Sequence, residues 1–412
     1  MDKSLLKRLA GLAKNMLLRV LAAFLSTGVR QFLVLPILAA TFDGEKYGAI
    51  LTINSVASII EVCLGNTLNN VRLVMKSKYE NQNLVGDFSN LLFASLIASS
   101  VATVAVVLYF RDFTLLESFL IWVVIILGTL NAYFIVHYVM TLHFNQMLIH
   151  SAWVAAGTII GALITRITHV WPFAFLTGNA CGLVYVTITC PLVREPMRWT
   201  SLWKETLRRW LFLIATALLS NSLIYLDRLL LYPILGGDAV ANYTTASFFG
   251  KCVTALMPSI ANVLLGYYVQ KDFIMTRKRY LLINSTSVGV CIVAFLVSIP
   301  FAPILNKLFF PELYESSLPY VIIANLATIT GAAATLAQSM ILRYCKTSLL
   351  LIIQVVYGIV YFGGGMLVLS THGLLGFCFV ALFANLIKVI IMVVTGYFKV
   401  SQIKSKQSEE LA

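Results

Sequence analysis

Charged residues are scarce in this chain. Asp, Glu, Lys and Arg make up 11% of its 412 residues, whereas hydrophobic residues make up 59%. Soluble globular proteins carry roughly 25% charged residues. A chain with less than half of that share cannot cover a water-facing surface. The composition therefore excludes ordinary soluble domains and predicts an integral membrane protein.

Acidic residues are especially few, 17 against 30 Lys and Arg, which gives a formal net charge of +13. In a soluble protein this excess would indicate nucleic-acid binding. Here most basic residues lie between apolar runs, where they record membrane topology and contact anionic lipid headgroups. We therefore expect membrane lipids, and no nucleic acid, as partners.

The motifs of common enzymes are also missing. The sequence has no GxxxxGK[ST] phosphate loop, no HExxH, no GxSxG and no EF-hand loop. The seven cysteines lie in apolar stretches with no CxxC spacing, which is typical of small buried hydrophobic residues. No enzyme activity, cofactor or metal is therefore predicted.

Two polar groups leave an alternative open. Asp43 and Glu45 in FDGEKYG indicate a polar turn between spans, although polytopic glycosyltransferases place acidic residues in an early outer loop to hold a metal and a sugar donor. His137, His143 and His150 lie near one loop without ligand-like spacing, so we expect a surface or headgroup role rather than a metal site.

Apolar runs of about 20 residues, long enough to cross the hydrocarbon core, recur twelve times. The predicted spans are 16–40, 47–70, 88–110, 115–140, 146–168, 171–193, 209–235, 240–269, 280–304, 316–343, 348–370 and 373–398. Basic residues concentrate in alternate loops, and the opposite loops hold only Lys46, Arg111, Arg166 and Lys307. This asymmetry predicts that both termini are cytoplasmic. The first span follows a basic start without a small-residue cleavage site, so we expect it to remain uncleaved.

The two halves of the chain resemble each other. Pro36-Ile37-Leu38 recurs as Pro233-Ile234-Leu235, 197 residues later. We predict an all-α membrane protein of two pseudo-symmetric six-helix bundles, related by an axis along the membrane normal. The predicted parts are an N-terminal bundle, a basic cytoplasmic linker, a C-terminal bundle and a cytoplasmic tail, at residues 1–196, 197–208, 209–400 and 401–412.

Six ionisable residues remain inside the predicted spans. They are Arg30, Glu61, Asp227, Arg228, Lys251 and Lys388. Each costs about 2.5–3.5 kcal/mol at a helix centre on insertion scales, and such residues normally face a partner or a watery cavity. Four cations and two anions leave a surplus of positive charge, which suits a phosphate or diphosphate ligand.

The depth and pairing of these residues can be estimated. Arg30 lies eleven residues after Arg19, about 16 Å along a helix, too deep to reach either membrane face easily. Adjacent helix residues point about 100° apart, so Asp227 and Arg228 need separate partners. Asp227 could neutralise Arg30 or Lys251, and a structural and a functional role for this acidic–basic pair both remain open.

Uncharged polar residues and helix breakers complete the pattern. Asparagines in the spans predict hydrogen bonds between helices, or contacts to a hydroxyl-rich ligand. Pro36 and Pro233 predict kinks in corresponding spans, and Gly363-Gly364-Gly365 predicts a softened helix. GTIIG at 157–161 and GNACG at 178–182 predict close helix packing.

The chain resembles the Wzx-type polysaccharide flippases, which share a superfamily with the multidrug and toxin extruders (MATE). The first span with a central Arg30, followed by LPILAATFDGEKYG, and the segment YLDRLLLYPILGGDAVANY carry the resemblance. It implies flipping of an undecaprenyl-diphosphate-linked oligosaccharide, such as an O-antigen repeat, from the cytoplasmic to the periplasmic leaflet of a bacterial inner membrane. It also implies a polysaccharide polymerase and a chain-length regulator as partners.

Residue roles follow from both arguments. The resemblance assigns Arg30 and Arg228 to substrate binding. Depth in the membrane adds Lys251, about ten residues into its span, and Lys388, eleven residues before Lys399. Glu61 and Asp227 are the candidate ion-coupling carboxylates, because a carboxylate in low dielectric can take up a proton near neutral pH. The alternatives are a cation-coupled multidrug exporter of the same architecture and a membrane glycosyltransferase or polymerase.

Overall fold

The computed structural model describes residues 17–18, 20–22, 24–110, 113–268, 276–344 and 347–410. Apart from short connections this part of the chain is helical, and no strand occurs in it. Basic residues before position 17, and Arg19, Arg111 and Lys271, lie outside the described residues. The first half contains α1 Val20–Ala39, α2 Gly44–Asn81, α3 Asp87–Phe110, α4 Leu115–Met140, α5 Phe144–Thr168 and α6 Phe173–Thr189. The second half contains α7 Trp203–Ile224, α8 Leu226–Ala246, α9 Phe248–Tyr268, α10 Arg277–Phe309, α11 Val321–Tyr344 and α12 Thr347–Glu410.

Among the described residues, nine helices are long and apolar enough to cross a membrane. Two shorter apolar helices, Phe173–Thr189 and Phe248–Met257, add to them. The apolar stretch Leu349–Lys399 of α12 has 51 residues, enough for two crossings at about 20 residues each. It is divided at Gly373, whose φ of 57° only glycine adopts easily. The chain is therefore a multi-pass membrane protein, with room for all twelve predicted spans.

The long helices deviate from regular α-helix at a few positions. α1 contains a π-helical turn at Arg30–Val34, and α2 contains another at Glu61–Asn66. α8 breaks at Gly236, three residues after Pro233. α12 continues as a helix through Gly363-Gly364-Gly365, and the softening expected at these glycines stays a prediction.

The described chain divides into two compact units. Unit 1 contains residues up to Asp43 and Ala49–Tyr225, and unit 2 contains Gly44–Gly48 and the chain from Leu226 onward. The division after Tyr225 lies beyond the predicted linker 197–208, and α7 begins inside that segment. Helix α7 therefore packs as part of unit 1.

In unit 1, α5 and α6 pack closely through glycines, as the two small-residue motifs predict. A Cβ on Gly161 would overlap the carbonyl of Phe173, and a Cβ on Gly178 would overlap the Thr158 hydroxyl. Elsewhere in the unit, α2, α3 and α4 enclose a core that includes Leu68, Met75, Phe88 and Tyr133, to which Trp210 of α7 also belongs. These contacts pack α5 against α6, and α2, α3 and α4 around a core shared with α7.

The connection to α7 is held against the ends of α2 and α3. Arg72 donates to the Glu195 carboxylate over 2.6 Å. The backbone amide of Thr200 donates to Asp87 over 2.9 Å, and the Tyr79 hydroxyl donates to the same carboxylate over 2.7 Å. The segment predicted as a basic linker is therefore fixed to unit 1 by buried acidic residues.

In unit 2, the backbone at the start of α2 contacts the backbone at the break in α8. A Cβ on Gly48 would overlap the carbonyl of Gly237, and a Cβ on Gly237 would overlap the carbonyl of Glu45. The Glu45 carboxylate accepts from the backbone amide of Asp238 over 3.0 Å. Glycine is thus required at both contact points, and Glu45 caps the restarted helix.

Candidate functional site

Arg30 lies on the π-helical turn of α1 in unit 1, and single π-turns inside α-helices are frequent at functional sites. Its Nη2 donates to Asn54 Oδ1 of α2 over 2.6 Å. Its guanidinium also lies 5.0 Å from the ring centre of Phe175 on α6. In the described part of unit 1, no carboxylate forms an ion pair with Arg30. An amide and an aromatic face thus hold the charge in place without neutralising it.

Glu61 begins the π-helical turn of α2. Its side chain lies directly over Gly128 of α4, where a Cβ would overlap the carboxylate. Glu61 also interacts electrostatically with Arg30. The glycine on α4 therefore makes the space in which a carboxylate can remain inside the span.

Asp227 and Lys251 form an ion pair in unit 2. Lys251 Nζ lies 2.9 Å from Asp227 Oδ2, and the two side chains are 23% and 10% exposed. Asp227 Oδ1 accepts from the backbone amide of Arg228 over 2.9 Å. Of the two partners that the sequence left open for Asp227, the structure gives Lys251. Asp227 lies in the first turn of α8, where the free backbone amides of the helix start also stabilise its negative charge.

An aromatic ladder connects this ion pair to Lys388. We use this name for Tyr243, Phe377, Tyr361 and Tyr357. Lys251 Nζ lies 5.3 Å from the centre of the Tyr243 ring. The successive ring centres are then 5.3, 5.6 and 5.6 Å apart, and Lys388 Nζ lies 4.8 Å from the centre of the Tyr357 ring. One buried line of rings thus joins two lysines.

The end of the ladder at Lys388 is rich in uncharged polar groups. The Tyr357 hydroxyl donates to Asn385 Oδ1 over 3.2 Å, and the Asn385 amide donates to the carbonyl of Ala327 over 3.0 Å. Among the residues that the structure describes, no carboxylate forms an ion pair with Lys388. In the described part of the chain, the Lys388 ammonium thus faces an aromatic ring rather than a carboxylate.

The polar links of the two units occupy corresponding positions. Arg30 and Asn54 are 24 residues apart, and so are Asp227 and Lys251. The second pair follows the first at the same offset of 197 that relates Pro36 to Pro233. Each half thus has one polar link between two consecutive helices, α1 and α2 in the first half and α8 and α9 in the second, but the charged partners differ. The first link is a cation with an amide, and the second is an anion with a cation.

The six predicted residues are unequally divided. Unit 1 holds one cation and one carboxylate, Arg30 and Glu61. Unit 2 holds the other four, of which only Asp227 is acidic. The formal surplus of positive charge predicted from the sequence thus belongs to unit 2. The structure assigns the cationic character to the half that also contains the aromatic ladder.

A buried polar network in unit 1 was not predicted. His150 is only 3% exposed, and its Nε2 lies 3.1 Å from Asn131 Oδ1. The Asn131 amide donates to the carbonyl of Asn179 over 2.8 Å. The expectation of a surface role is wrong for His150, because α5 turns this residue toward α4 and α6 rather than outward. The only signal in the sequence was the asparagine on α4.

Comparison with known proteins gives a clear result at the level of the fold. No protein-family model and no curated protein sequence matches the chain. The Vibrio cholerae MATE transporter VcmN in the bent form superposes with a TM-score of 0.63 at 16% identity, over 95% of this chain and 97% of that one. A multidrug resistance MATE family transporter of the MOP superfamily superposes with a TM-score of 0.58 at 14% identity, over 95% of this chain and 96% of that one.

The same transporter in its outward-facing conformation gives the same TM-score as in its inward-facing one. The chain therefore has the MATE fold, and the predicted all-α membrane fold class is confirmed. At such low identities the likeness concerns the fold alone, so the role of the chain depends on its own residues.

Proposed function

We propose that the protein is a transporter, not an enzyme, that flips an undecaprenyl-diphosphate-linked oligosaccharide across a bacterial inner membrane by alternating access. The substrate moves from the cytoplasmic to the periplasmic leaflet. The observation that carries the proposal is the combination, in unit 2, of a formal cationic surplus with the aromatic ladder. A diphosphate requires cations, and a glycan requires ring faces and amides.

The diphosphate would be held by lysine. Lys388 has no carboxylate as an ion-pair partner in the described residues, so its charge is available to a phosphate oxygen. Lys251 is partly engaged by Asp227 at 2.9 Å. Arg228 and Arg30 are the further cations in this proposal, and Arg presents a planar fork to phosphate oxygens.

The sugars would contact the aromatic ladder and its amides. Tyr357 and Asn385 are already hydrogen-bonded to each other, which fixes both side chains before a ligand arrives. Such preorganisation lowers the entropy cost of binding. The polyprenyl chain would stay in the lipid, since burying it among charged helices gains nothing.

Glu61 and Asp227 remain the candidates for ion coupling. Glu61 lies inside the membrane span against Gly128 and near Arg30. Protonation of Asp227 would release Lys251 from its ion pair, because the attraction between the two side chains requires the carboxylate charge. Coupling would then act directly on a substrate-binding cation.

A multidrug exporter is the second candidate, because the structures that share the fold include multidrug resistance transporters. Glu61 is the feature that favours it, since a cationic drug requires a carboxylate. Lys388 argues against it, because a cationic drug would meet a lysine that no described carboxylate neutralises.

The experiment is complementation of the host strain from which the gene has been deleted. Lys388→Glu should abolish surface polysaccharide and leave lipid-linked repeats in the inner leaflet, whereas Lys388→Arg should retain most transport. Lys307→Glu makes the same charge change at an exposed position of α10 and serves as the matched control. Insertion of each variant is checked by membrane fractionation.

Two outcomes would contradict the proposal. If the Arg30→Ala and Lys388→Glu variants both produced normal surface polysaccharide, the assignment of these cations to substrate binding would be refuted. Unchanged polysaccharide in the deletion strain, together with lost resistance to cationic drugs, would favour the multidrug exporter. Flipping can also be measured directly in proteoliposomes with a fluorescent diphosphate-linked oligosaccharide.

A further inference from the structure

A cavity of about 340 Å³ opens at one end of unit 1, and none of the six predicted site residues lines it. Its walls come from the ends of α2, α3 and α4 and from the segment before α7. Leu84, Val85, Phe88 and Met140 form an apolar wall. Arg72, Lys76, Glu80 and Glu195 supply two positive and two negative charges. The cavity is thus polar, mixed in charge and formally neutral.

Glu195 lines this cavity and has an unsatisfied carboxylate oxygen. Its Oε2 accepts from Arg72 Nη1 over 2.6 Å, and its side chain is 6% exposed. Its Oε1 is buried and has no hydrogen-bond partner among the described residues. A buried carboxylate oxygen without a donor costs about 1–3 kcal/mol or more. The site therefore lacks a hydrogen-bond donor, which an ammonium or hydroxyl group of a ligand could supply.

Lys76 offers hydrogen-bond donors to a ligand in the same cavity. Its ammonium donates to the carbonyl of Met140 over 3.2 Å and lies 3.8 Å from Glu80. A lysine ammonium has three donors, so it retains capacity for a phosphate oxygen. A ligand with a phosphate at one end and a donor at the other would satisfy both walls.

The chain next to Glu195 indicates where this ligand comes from. The segment that carries Glu195 also carries Met197 and Trp199, which are 61% and 67% exposed. Exposed tryptophan beside basic residues is typical of the level of the lipid headgroups. The ligand is therefore most simply a lipid headgroup.

We propose that this cavity binds the headgroup of an aminophospholipid. The phosphate contacts Lys76 and the primary ammonium donates to Glu195 Oε1, while the apolar wall accommodates the glycerol backbone. Because the headgroup is zwitterionic, it matches the formal neutrality of the cavity. The bound lipid would also reinforce the contact between Arg72 and the segment before α7.

The test is lipid binding to the purified full-length protein, measured by native mass spectrometry titration. The probes are phosphatidylethanolamine, phosphatidylcholine and phosphatidylglycerol with identical acyl chains. Phosphatidylcholine keeps the phosphate and the positive charge but has no N–H to donate. We expect phosphatidylethanolamine to bind about tenfold more tightly than phosphatidylcholine, the value of one charge-assisted hydrogen bond.

Variants locate the effect. Glu195→Gln keeps an acceptor for Arg72 and should remove the preference for phosphatidylethanolamine. Lys76→Gln should weaken all three lipids, and Val85→Trp should fill the cavity and abolish binding. Lys78→Gln, two residues away and paired with Glu205 outside the cavity, should change nothing.

Three results would overturn the proposal. These are equal binding of phosphatidylethanolamine and phosphatidylcholine, equal binding of phosphatidylethanolamine and phosphatidylglycerol, or an unchanged preference in Glu195→Gln. If Glu195→Gln fails to fold, Lys76→Gln and Val85→Trp still decide the matter, because unchanged lipid binding in both variants would contradict the site.

Discussion

Removing the charge of Lys251 should destabilise unit 2, because it would leave Asp227 buried without its partner. At 2.9 Å the attraction is about 6 kcal/mol at an effective dielectric constant of about 20. Part of this attraction only offsets the desolvation of both groups. Breaking a buried pair by removing one member typically costs about 3–5 kcal/mol. Because the Asp227 and Lys251 side chains are 10% and 23% exposed, we expect a loss of unfolding free energy near the lower end of this range.

The assay is denaturant unfolding in detergent micelles, with four variants. Lys251→Gln and Asp227→Asn should each lower the free energy of unfolding by about 3 kcal/mol. The double variant should recover most of that loss, since it leaves no unpaired charge. Lys388→Gln is the matched control, because no described carboxylate pairs with Lys388, and it should lower stability by less than about 1 kcal/mol.

Transport separates the structural role of the pair from its proposed function. The double variant should regain stability but not flipping, because it lacks a cation that the proposal assigns to the diphosphate. If the single variants were as stable as Lys388→Gln, the assignment of a buried ion pair would be refuted. If the double variant flipped substrate normally, the pair would be structural only.

Three further predictions concern stability, measured by thermal unfolding in detergent. Gly128→Ala should destabilise by about 1–3 kcal/mol, because its methyl group overlaps the Glu61 carboxylate, whereas Gly289→Ala, with open space around it, should not. Gly48→Ala should destabilise more than Gly128→Ala, since its methyl group meets the backbone of Gly237, which cannot rotate away; an equal effect would contradict this contact. Tyr79→Phe should lower the free energy of unfolding by about 1–3 kcal/mol, because it removes a hydrogen-bond donor to buried Asp87. An equal loss in Tyr109→Phe, at an exposed site, would contradict this role of the hydrogen bond.

The spans and the intramembrane charges could be predicted from the sequence because both are local properties. Hydrophobicity over 20 residues decides whether a segment crosses the membrane, and an ionisable residue in such a segment is visible at once. The partner of a charge is not local. Asn54 gives no signal as the partner of Arg30, because the choice depends on how α1 and α2 are rotated against each other.

The connection to α7 shows the same limit. Its sequence is rich in basic residues, but two acidic residues hold it in place, and one of these, Asp87, has neutral partners. Asp87 accepts from Tyr79 and from the backbone of Thr200, and Glu195 accepts from Arg72. A tyrosine and a threonine carry no charge that would reveal such a contact. Only packing brings these residues to one place.

The repeated polar link gives the proposed mechanism a physical basis. The α1–α2 link and the α8–α9 link lie at corresponding positions of the two halves, yet only the second link contains an acid. An amide cannot be protonated at physiological pH, so the Arg30–Asn54 link is insensitive to an ion gradient. The Asp227–Lys251 link is sensitive, and a diphosphate near Lys251 would compete with Asp227 for the same ammonium. Substrate binding and protonation of Asp227 would then favour each other, because each removes the same ion pair.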